Sequence, residues 1–277
     1  MPLALPPLAL LRERYVVRGR SLPVAVEAAL EQDGRAGAQA ILAAVERRRV
    51  ANRSEGQRLR MMLRFETDLW ADGLFLIAGV DEAGMSPLAG PVAAGAVVFR
   101  PGTRITGVDD CKRLDAAERE RLAPIIREQA VAWSVAFVEP AEIDELNIYW
   151  AGVAAMKRAV AGLGLTPQHV LLDGRRIKDF PYTHRAIIKG DQKSLSIAAA
   201  SILAKTDRDA RMRELDVVHP GYGFAAHKGY PVKAHFEALA LRGPCAIHRQ
   251  SFAPVRQAGE RHLVGGGVAR GANQALR

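Results

Sequence analysis

The sequence predicts an α/β domain, a sheet covered by helices, preceded by a helical extension. Three observations predict it. Two apolar runs, Leu74-Phe-Leu-Ile-Ala-Gly-Val80 and Val92 to Phe99, flank the Gly/Pro-rich segment Ala83-Gly-Met-Ser-Pro-Leu-Ala-Gly-Pro91 and read as strand, turn, strand. Beyond them strand-like and helix-like stretches alternate, the pattern of a sheet covered by helices. Residues 1–72 are Ala- and Arg-rich and carry helix-compatible spacing.

In the extension, helices are expected at Pro23–Glu31, Gly37–Arg49 and Glu55–Ala71, with Gly and Asp at the breaks. Leu59, Met62, Leu63, Phe65, Leu69 and Trp70 form an apolar stripe on the last. Arg47, Arg48, Arg49, Arg53, Arg58, Arg60 and Arg64 read either as a basic nucleic-acid clamp or as a solvated helix face. In the core, residues 73–255, the hairpin at 74–99 is followed by a helix around Asp115–Gln129, with Asp115 as its cap and Glu118 three residues on. A strand at Val131–Val138 and a helical stretch from Pro140 to Ala161 come next. Strand His169–Leu172 delivers Asp173; Ala186–Lys189 is a short strand, Ser194–Leu215 a long helix, and Pro231–Leu241 a closing helix. Residues 256–277, rich in Gly, Ala, Arg and Gln, read as a disordered tail.

At 277 residues the chain suits one large domain or a domain with an appendage, and 49% apolar with 25% charged residues is ordinary globular composition. No apolar stretch reaches the roughly 18 residues a membrane span needs. The first positive residues follow the N-terminal apolar run, opposite to a secretory signal. Cys111 and Cys245 lack CxxC spacing, which fits a reduced, cytoplasmic protein; a monomer is expected. A net charge of +9 and a pI near 9.9 favour a polyanionic partner.

Asp81 and Glu82 close the first strand. Two neighbouring acids at a buried strand end cost several kcal/mol unless a positive charge compensates, and hard oxygen ligands suit magnesium or manganese. Taken alone, the pair also reads as a solvated turn. Phosphodiester hydrolysis by two divalent ions needs three or four converging carboxylates. Asp81, Glu82, Asp173 and Asp191 all stand at ends of expected elements. Asp173-Gly174 alone suggests a turn, and Asp191 alone a helix N-cap. No dinucleotide fingerprint or Walker loop is present. His184, His219, His227, His235 and His248 lack zinc-like spacing, and Ser201 amid alanines reads as a helix-packing residue.

The segment Ile77-Ala-Gly-Val-Asp-Glu-Ala-Gly-Met-Ser-Pro-Leu-Ala-Gly-Pro-Val92 closely resembles the opening motif of ribonuclease HII. Asp110-Cys-Lys-Arg-Leu114, Leu171-Leu-Asp-Gly174 and the run from Ile188-Lys-Gly-Asp191 through Ala198-Ala-Ala-Ser-Ile-Leu-Ala-Lys205 resemble it in the same order. So do His219-Pro-Gly-Tyr-Gly-Phe224, His227-Lys-Gly-Tyr230 and Gly243-Pro-Cys-Ala-Ile-His-Arg-Gln-Ser-Phe252. The likeness spans roughly residues 74–255, and residues 62–73 resemble the extension some bacterial members carry.

The resemblance implies a ribonuclease H-like mixed sheet flanked by helices. It implies an endoribonuclease that cuts the RNA strand of RNA–DNA hybrids, and duplexes carrying isolated ribonucleotides, with two Mg2+ or Mn2+ ions. Products would end in 5′-phosphate and 3′-hydroxyl. It maps Asp81, Glu82, Asp173 and Asp191 onto the metal-binding carboxylates. Lys112, Lys189 and Lys193 become phosphate contacts, against a reading as surface solubility. Tyr230 becomes the ring that packs on sugar and base, with Tyr222 as the other candidate. Family members read the 2′-hydroxyl with the backbone of a Gly-Arg-Gly tripeptide, where this chain has Gly84-Met85-Ser86. Losing the arginine removes a phosphate contact, and losing the last glycine removes conformational freedom. The backbone amides survive both changes. Two other readings stay open: a hybrid-binding protein with impaired catalysis, and a nuclease whose substrates extend to DNA.

Overall fold

The computed structural model describes residues 5–271, with side chains through residue 262. The chain divides into two units, Met1–Met61 and Met62–Arg277. In the first, α1 (Leu8–Arg12) runs into a π-helical turn, Glu13–Val17, followed by α2 (Val24–Glu31) and α3 (Ala36–Met62). Leu11, Tyr15, Leu22, Leu30, Ala38, Ile41 and Val45 form its core. The expected gap between Arg49 and Glu55 is absent, because nothing in Val50-Ala-Asn-Arg-Ser54 forbids a helix and α3 runs through it. Several of its arginines serve this unit internally. Arg48 donates to the carbonyls of Tyr15 and Arg20, while Arg49 pairs with Glu27 and Arg53 with Glu46. The solvated-face reading accounts for these better than a clamp does.

The second compact unit begins at Met62, and its first full helix is α4 (Arg64–Ala71). Phe65, Leu69 and Trp70 of the apolar stripe pack against Ile77, Leu171, Ile187 and Ile197. Then follow β1 (Ile77–Ala83), β2 (Val92–Val98), α5 (Ala116–Gln129), β3 (Ala132–Val138), α6 (Pro140–Leu146) and α7 (Ile148–Ala161). The last third holds β4 (His169–Asp173), β5 (His184–Ile187), α8 (Leu195–Val218), α9 (Phe224–His227), α10 (Lys233–Arg242) and α11 (Ala253–Gly271). The sheet order is β3-β2-β1-β4-β5. β1 to β3 form an antiparallel meander, and β4 and β5 run parallel to β1.

Alternation along β1 and β2 sends Ala78, Val80, Ala94 and Ala96 to one core, where α7 supplies Val153, Met156 and Val160. The opposite face carries Gly79 and Gly95, where a Cβ would run into the α8 backbone at Ser196 and Ala200. These glycines let α8 lie directly on the sheet.

Four local expectations change. The stretch Pro140 to Ala161 is two helices, broken at Asn147, whose φ of 67° ends α6. The same side chain caps α7 by accepting from the amides of Tyr149 and Trp150. The short strand expected at Ala186–Lys189 is β5, two residues earlier. The N-cap of α8 is Ser194, which accepts from the Ile197 amide; Asp191 instead sits in a 3-10 turn, Gly190–Gln192. Where a disordered tail is expected from residue 256, α11 continues to Gly271, and residues 272–277 lie outside the described ones.

Glu66 of α4 anchors the start of α8. Its Oε1 accepts from Ser194 Oγ (2.6 Å), Ser196 Oγ (2.6 Å) and the Ser196 amide (3.0 Å). Burial raises its pKa, and the serine hydrogen bonds oppose the rise. A carboxyl whose folded pKa exceeds its unfolded one stabilises fully below the unfolded value, and loses that contribution as pH climbs through the folded value. Glu66→Gln keeps an acceptor without the charge. Urea unfolding at about pH 5 and about pH 8 should therefore show this variant gaining on the parent as pH rises. Glu66→Ala should cost about 2–3 kcal/mol near pH 5, because it strands the Ser196 amide, and less near pH 8, where the parent has lost part of the same contribution.

Candidate active site

Parallel pairing sets Val80 beside Leu172, so Asp81 and Asp173 follow at neighbouring strand ends. By alternation both share the α8 side with Gly79 and Leu171. Ends of adjacent strands are where open α/β sheets build sites. One oxygen of each acid is held by backbone: Glu82 N donates to Asp81 Oδ1 (2.8 Å), and Gly190 N to Asp173 Oδ1 (2.6 Å). The second bond brings the Gly190–Gln192 turn, and Asp191 with it, to the end of β4. A Cβ on Gly190 would press on Ile197 and Asp173, so only glycine permits this approach.

The acids act on one another. Burial, then the charges of Glu82 and Asp173, push Asp81 well above the usual carboxylate range, with a hydrogen bond from Ser201 offsetting part. Glu82 is pushed up to about 7 by burial and by Asp173, and Asp191 rises through burial and Asp173. Lys112 Nζ lies 3.8 Å from Asp191 Oδ2. Burial works against its charge, but the fields of Asp191, Asp81 and Asp110 outweigh that and raise its pKa.

Among the described residues no group of three or more His, Cys, Asp or Glu is gathered tightly enough to hold a metal ion. The acids share a field without sharing a ligand sphere. The donor chemistry nevertheless fits a hard divalent cation: four carboxylates, three of them raised in pKa by burial and a neighbouring acid, with one lysine in ion-pair range.

Asp81 and Glu82 open onto a cavity of about 270 Å³ lined also by Gly84, Met85, Ser86, Lys112, Lys205 and Tyr230. Two fully buried arginines shape its wall. Arg249 donates from Nη2 to Gly84 O (2.6 Å), from Nη1 to Met85 O (3.1 Å) and from Nε to Gly90 O (3.0 Å). Arg208 donates to the carbonyls of Pro91 (2.8 Å), Lys228 (3.1 Å) and Ala89 (3.3 Å). Every peptide here is trans, and a trans peptide points its C=O and N–H in opposite directions. Drawing the carbonyls of Gly84 and Met85 onto Arg249 therefore turns the amides of Met85 and Ser86 away from it. Gly84 has φ of +88°, and a Cβ there would collide with Arg208. The Met85 side chain lies against Gly152 and the sheet core.

Lys189 and Lys193 do not line the cavity. Lys193 Nζ donates to Ile188 O (2.8 Å), and Lys189 is the left-handed residue that starts the Asp191 turn. Tyr222 is a core residue whose hydroxyl donates to Gly243 O, which leaves Tyr230 as the aromatic at the cavity. Sequence reasoning missed Lys205 and Arg119 in the lining. Lys205 stands one helical turn after Ser201, an i, i+4 spacing that follows from placing Ser201 beside Asp81. Arg119 carried no comparable signal. Ser201 packs at the helix–sheet contact as expected, and its Oγ also lies 3.1 Å from Cys111 Sγ inside the site. Both cysteines are free thiols. No helix of the described residues is long and apolar enough to cross a membrane.

Comparison with known proteins agrees with this geometry. The family model described as ribonuclease HII matches residues 78–255, and that of the ribonuclease HII N-terminal domain matches residues 23–70. The ribonuclease HII of Anaeromyxobacter sp. (strain Fw109-5) is 56% identical over 90% of this chain and 79% of its own length. That of Myxococcus xanthus (strain DK1622) is 54% identical over 90% and 85%. Among solved structures, the ribonuclease H2 of Pyrococcus horikoshii OT3 is similar with a TM-score of 0.58 and 28% identity, covering 67% of this chain and 97% of that one. The chain belongs to the ribonuclease HII family of metal-dependent nucleases, and its mixed sheet is of the ribonuclease H type.

Proposed function

We propose that this protein cuts the RNA strand of RNA–DNA hybrids, with Asp81, Glu82, Asp173 and Asp191 holding divalent metal, Mg2+ or Mn2+. The observation that carries the reading is that Asp81 and Glu82, at one strand edge beside the cavity, are both raised by burial and by the field of Asp173. Two bound ions would supply an activated water and a counter-charge for the departing oxygen. The chain's own groups bind and orient. Lys112 and Lys205 meet phosphate as point charges, and the outward amides of Met85 and Ser86 meet the ribose 2′-hydroxyl, the group that separates RNA from DNA. Tyr230 packs on sugar and base. Products carry 5′-phosphate and 3′-hydroxyl ends. Two free thiols suit a reducing, cytoplasmic setting.

A second reading, a hybrid binder with weak cutting, draws on Met85. Its side chain is turned to the core and brings no charge to phosphate. One assay separates the readings: end-labelled uniform hybrid, a duplex with one ribonucleotide, and an all-DNA duplex, each with Mg2+, Mn2+ or chelator. The expected result is metal-dependent cutting of the hybrid, weaker cutting of the single-ribonucleotide duplex, and an intact DNA control. Binding of the hybrid without cutting in either metal would establish the second reading.

A further inference from the structure

Three histidines that stand apart in sequence converge behind the cavity wall. His235 and His248 are buried, with 0% and 1% exposure. The Cys245 amide lies 2.9 Å from His248 Nδ1, His248 Nε2 lies 3.2 Å from His235 Nε2, and His235 Nδ1 lies 2.9 Å from Tyr230 O. An amide can only donate and a carbonyl can only accept. The two ends therefore fix the protons between them. His248 Nδ1 accepts, so its Nε2 carries the hydrogen; His235 Nε2 accepts, so its Nδ1 carries the other. One consistent direction runs from Cys245 to Tyr230.

His227 completes the frame. It accepts from the Gly229 amide at Nδ1 (3.2 Å), faces Tyr222 O from Nε2 (2.8 Å), and stacks on His235 with ring centres 4.4 Å apart. Burial pushes His235 down, and burial with the His235 charge pushes His248 to about 4, so both rings stay neutral near pH 7. Only neutral rings can sustain this order, because a doubly protonated imidazole has no acceptor.

We propose that His248 and His235 form a directional hydrogen-bond relay that positions Tyr230, holding its carbonyl so that its ring faces the nucleotide. They are positioning residues and touch no substrate. The competing description is a purely structural aromatic cluster around Phe224, whose ring meets all three imidazoles. The two differ in what a substitution does. A cluster responds to lost packing, whereas the relay responds to where the donor sits.

The proposal rests on reading Tyr230 as a nucleotide contact, and the test separates the two. Steady-state cleavage of the hybrid is measured for the wild type, Tyr230→Ala, His235→Asn, His235→Gln and the double variant Tyr230→Ala/His235→Gln. Urea melts check folding, and wild-type cutting is the reference, so failure of the nuclease reading shows before any histidine is altered. Asn places an N–H near the Nδ1 position; Gln moves it to the far end. Tyr230→Ala should raise KM. His235→Gln should raise KM by roughly three- to tenfold, one hydrogen bond's worth, with kcat changed less, while His235→Asn stays closer to wild type. The Gln substitution should add nothing once Tyr230 is Ala. Nitrogen-15 spectra should find His235 protonated at Nδ1 and His248 at Nε2.

Equal losses for Asn and Gln that track stability would overturn the relay, as would a KM effect persisting in full without Tyr230, or the opposite tautomers. An unchanged KM in Tyr230→Ala would overturn the tyrosine reading itself, and the purpose assigned to the relay with it.

Discussion

Asp81→Asn should abolish cutting of the hybrid, lowering the rate by about a thousandfold or more, the upper range for removing one preorganised transition-state contact. Hybrid binding should change little, because Lys112, Lys205, Tyr230 and the loop amides remain in the cavity wall. Stability moves the other way. Burial, Glu82 and Asp173 raise the Asp81 pKa, so the folded state prefers it protonated, and its contribution is lost as pH climbs through the folded value. Removing the charge relieves that cost, and at pH 7 with chelator the variant should unfold at higher urea than the parent. Inactive, binding-competent and more stable is a combination that a merely structural aspartate does not give. Retained cutting would refute the metal-ligand assignment for Asp81.

Arg249→Ala should cause the largest loss of stability, about 3–5 kcal/mol by urea unfolding, since it opens a cavity and strands three buried carbonyls. Burial lowers this guanidinium to about 9, yet it remains charged at neutral pH. Its three donors are spread over a rigid planar fork, which an ammonium cannot copy. Arg249→Lys should therefore recover less than half of the loss, and the folded fraction should bind hybrid more weakly because Gly84 and Met85 are no longer turned inward. A lysine variant as stable as the parent would mean the charge alone matters and the fork does not.

What was legible in the sequence was whatever is encoded locally. Asp81 and Glu82 stood out because an apolar strand ended on them and a Gly/Pro turn followed, and Asp115 capped its helix as the Glu118 spacing implied. Asp191, which taken alone reads as a helix N-cap, sits instead in a 3-10 turn. Ser194 is an equally good cap three residues later, and Asp191 is carried in by the Gly190 amide on Asp173, a contact between residues 17 positions apart. The break at Asn147 was hidden because asparagine in a helical stretch looks unremarkable until its positive φ is known. The relay histidines read as scattered, since spacing rules detect neighbours on one element, whereas His235 lies in α10 and His248 in the loop that follows it. Arg208 and Arg249 carry no local signal of burial, since arginines are mostly exposed, and only the carbonyls they meet explain why they are inside.

The dependence of Gly84 and Met85 on Arg249 spans 165 and 164 positions of chain. During synthesis the acids of β1 leave the ribosome long before the residue that orients the loop beside them. A nascent chain thus passes through a stage with charge already gathered and discrimination still unformed, and trimming anywhere ahead of Arg249 would freeze it there.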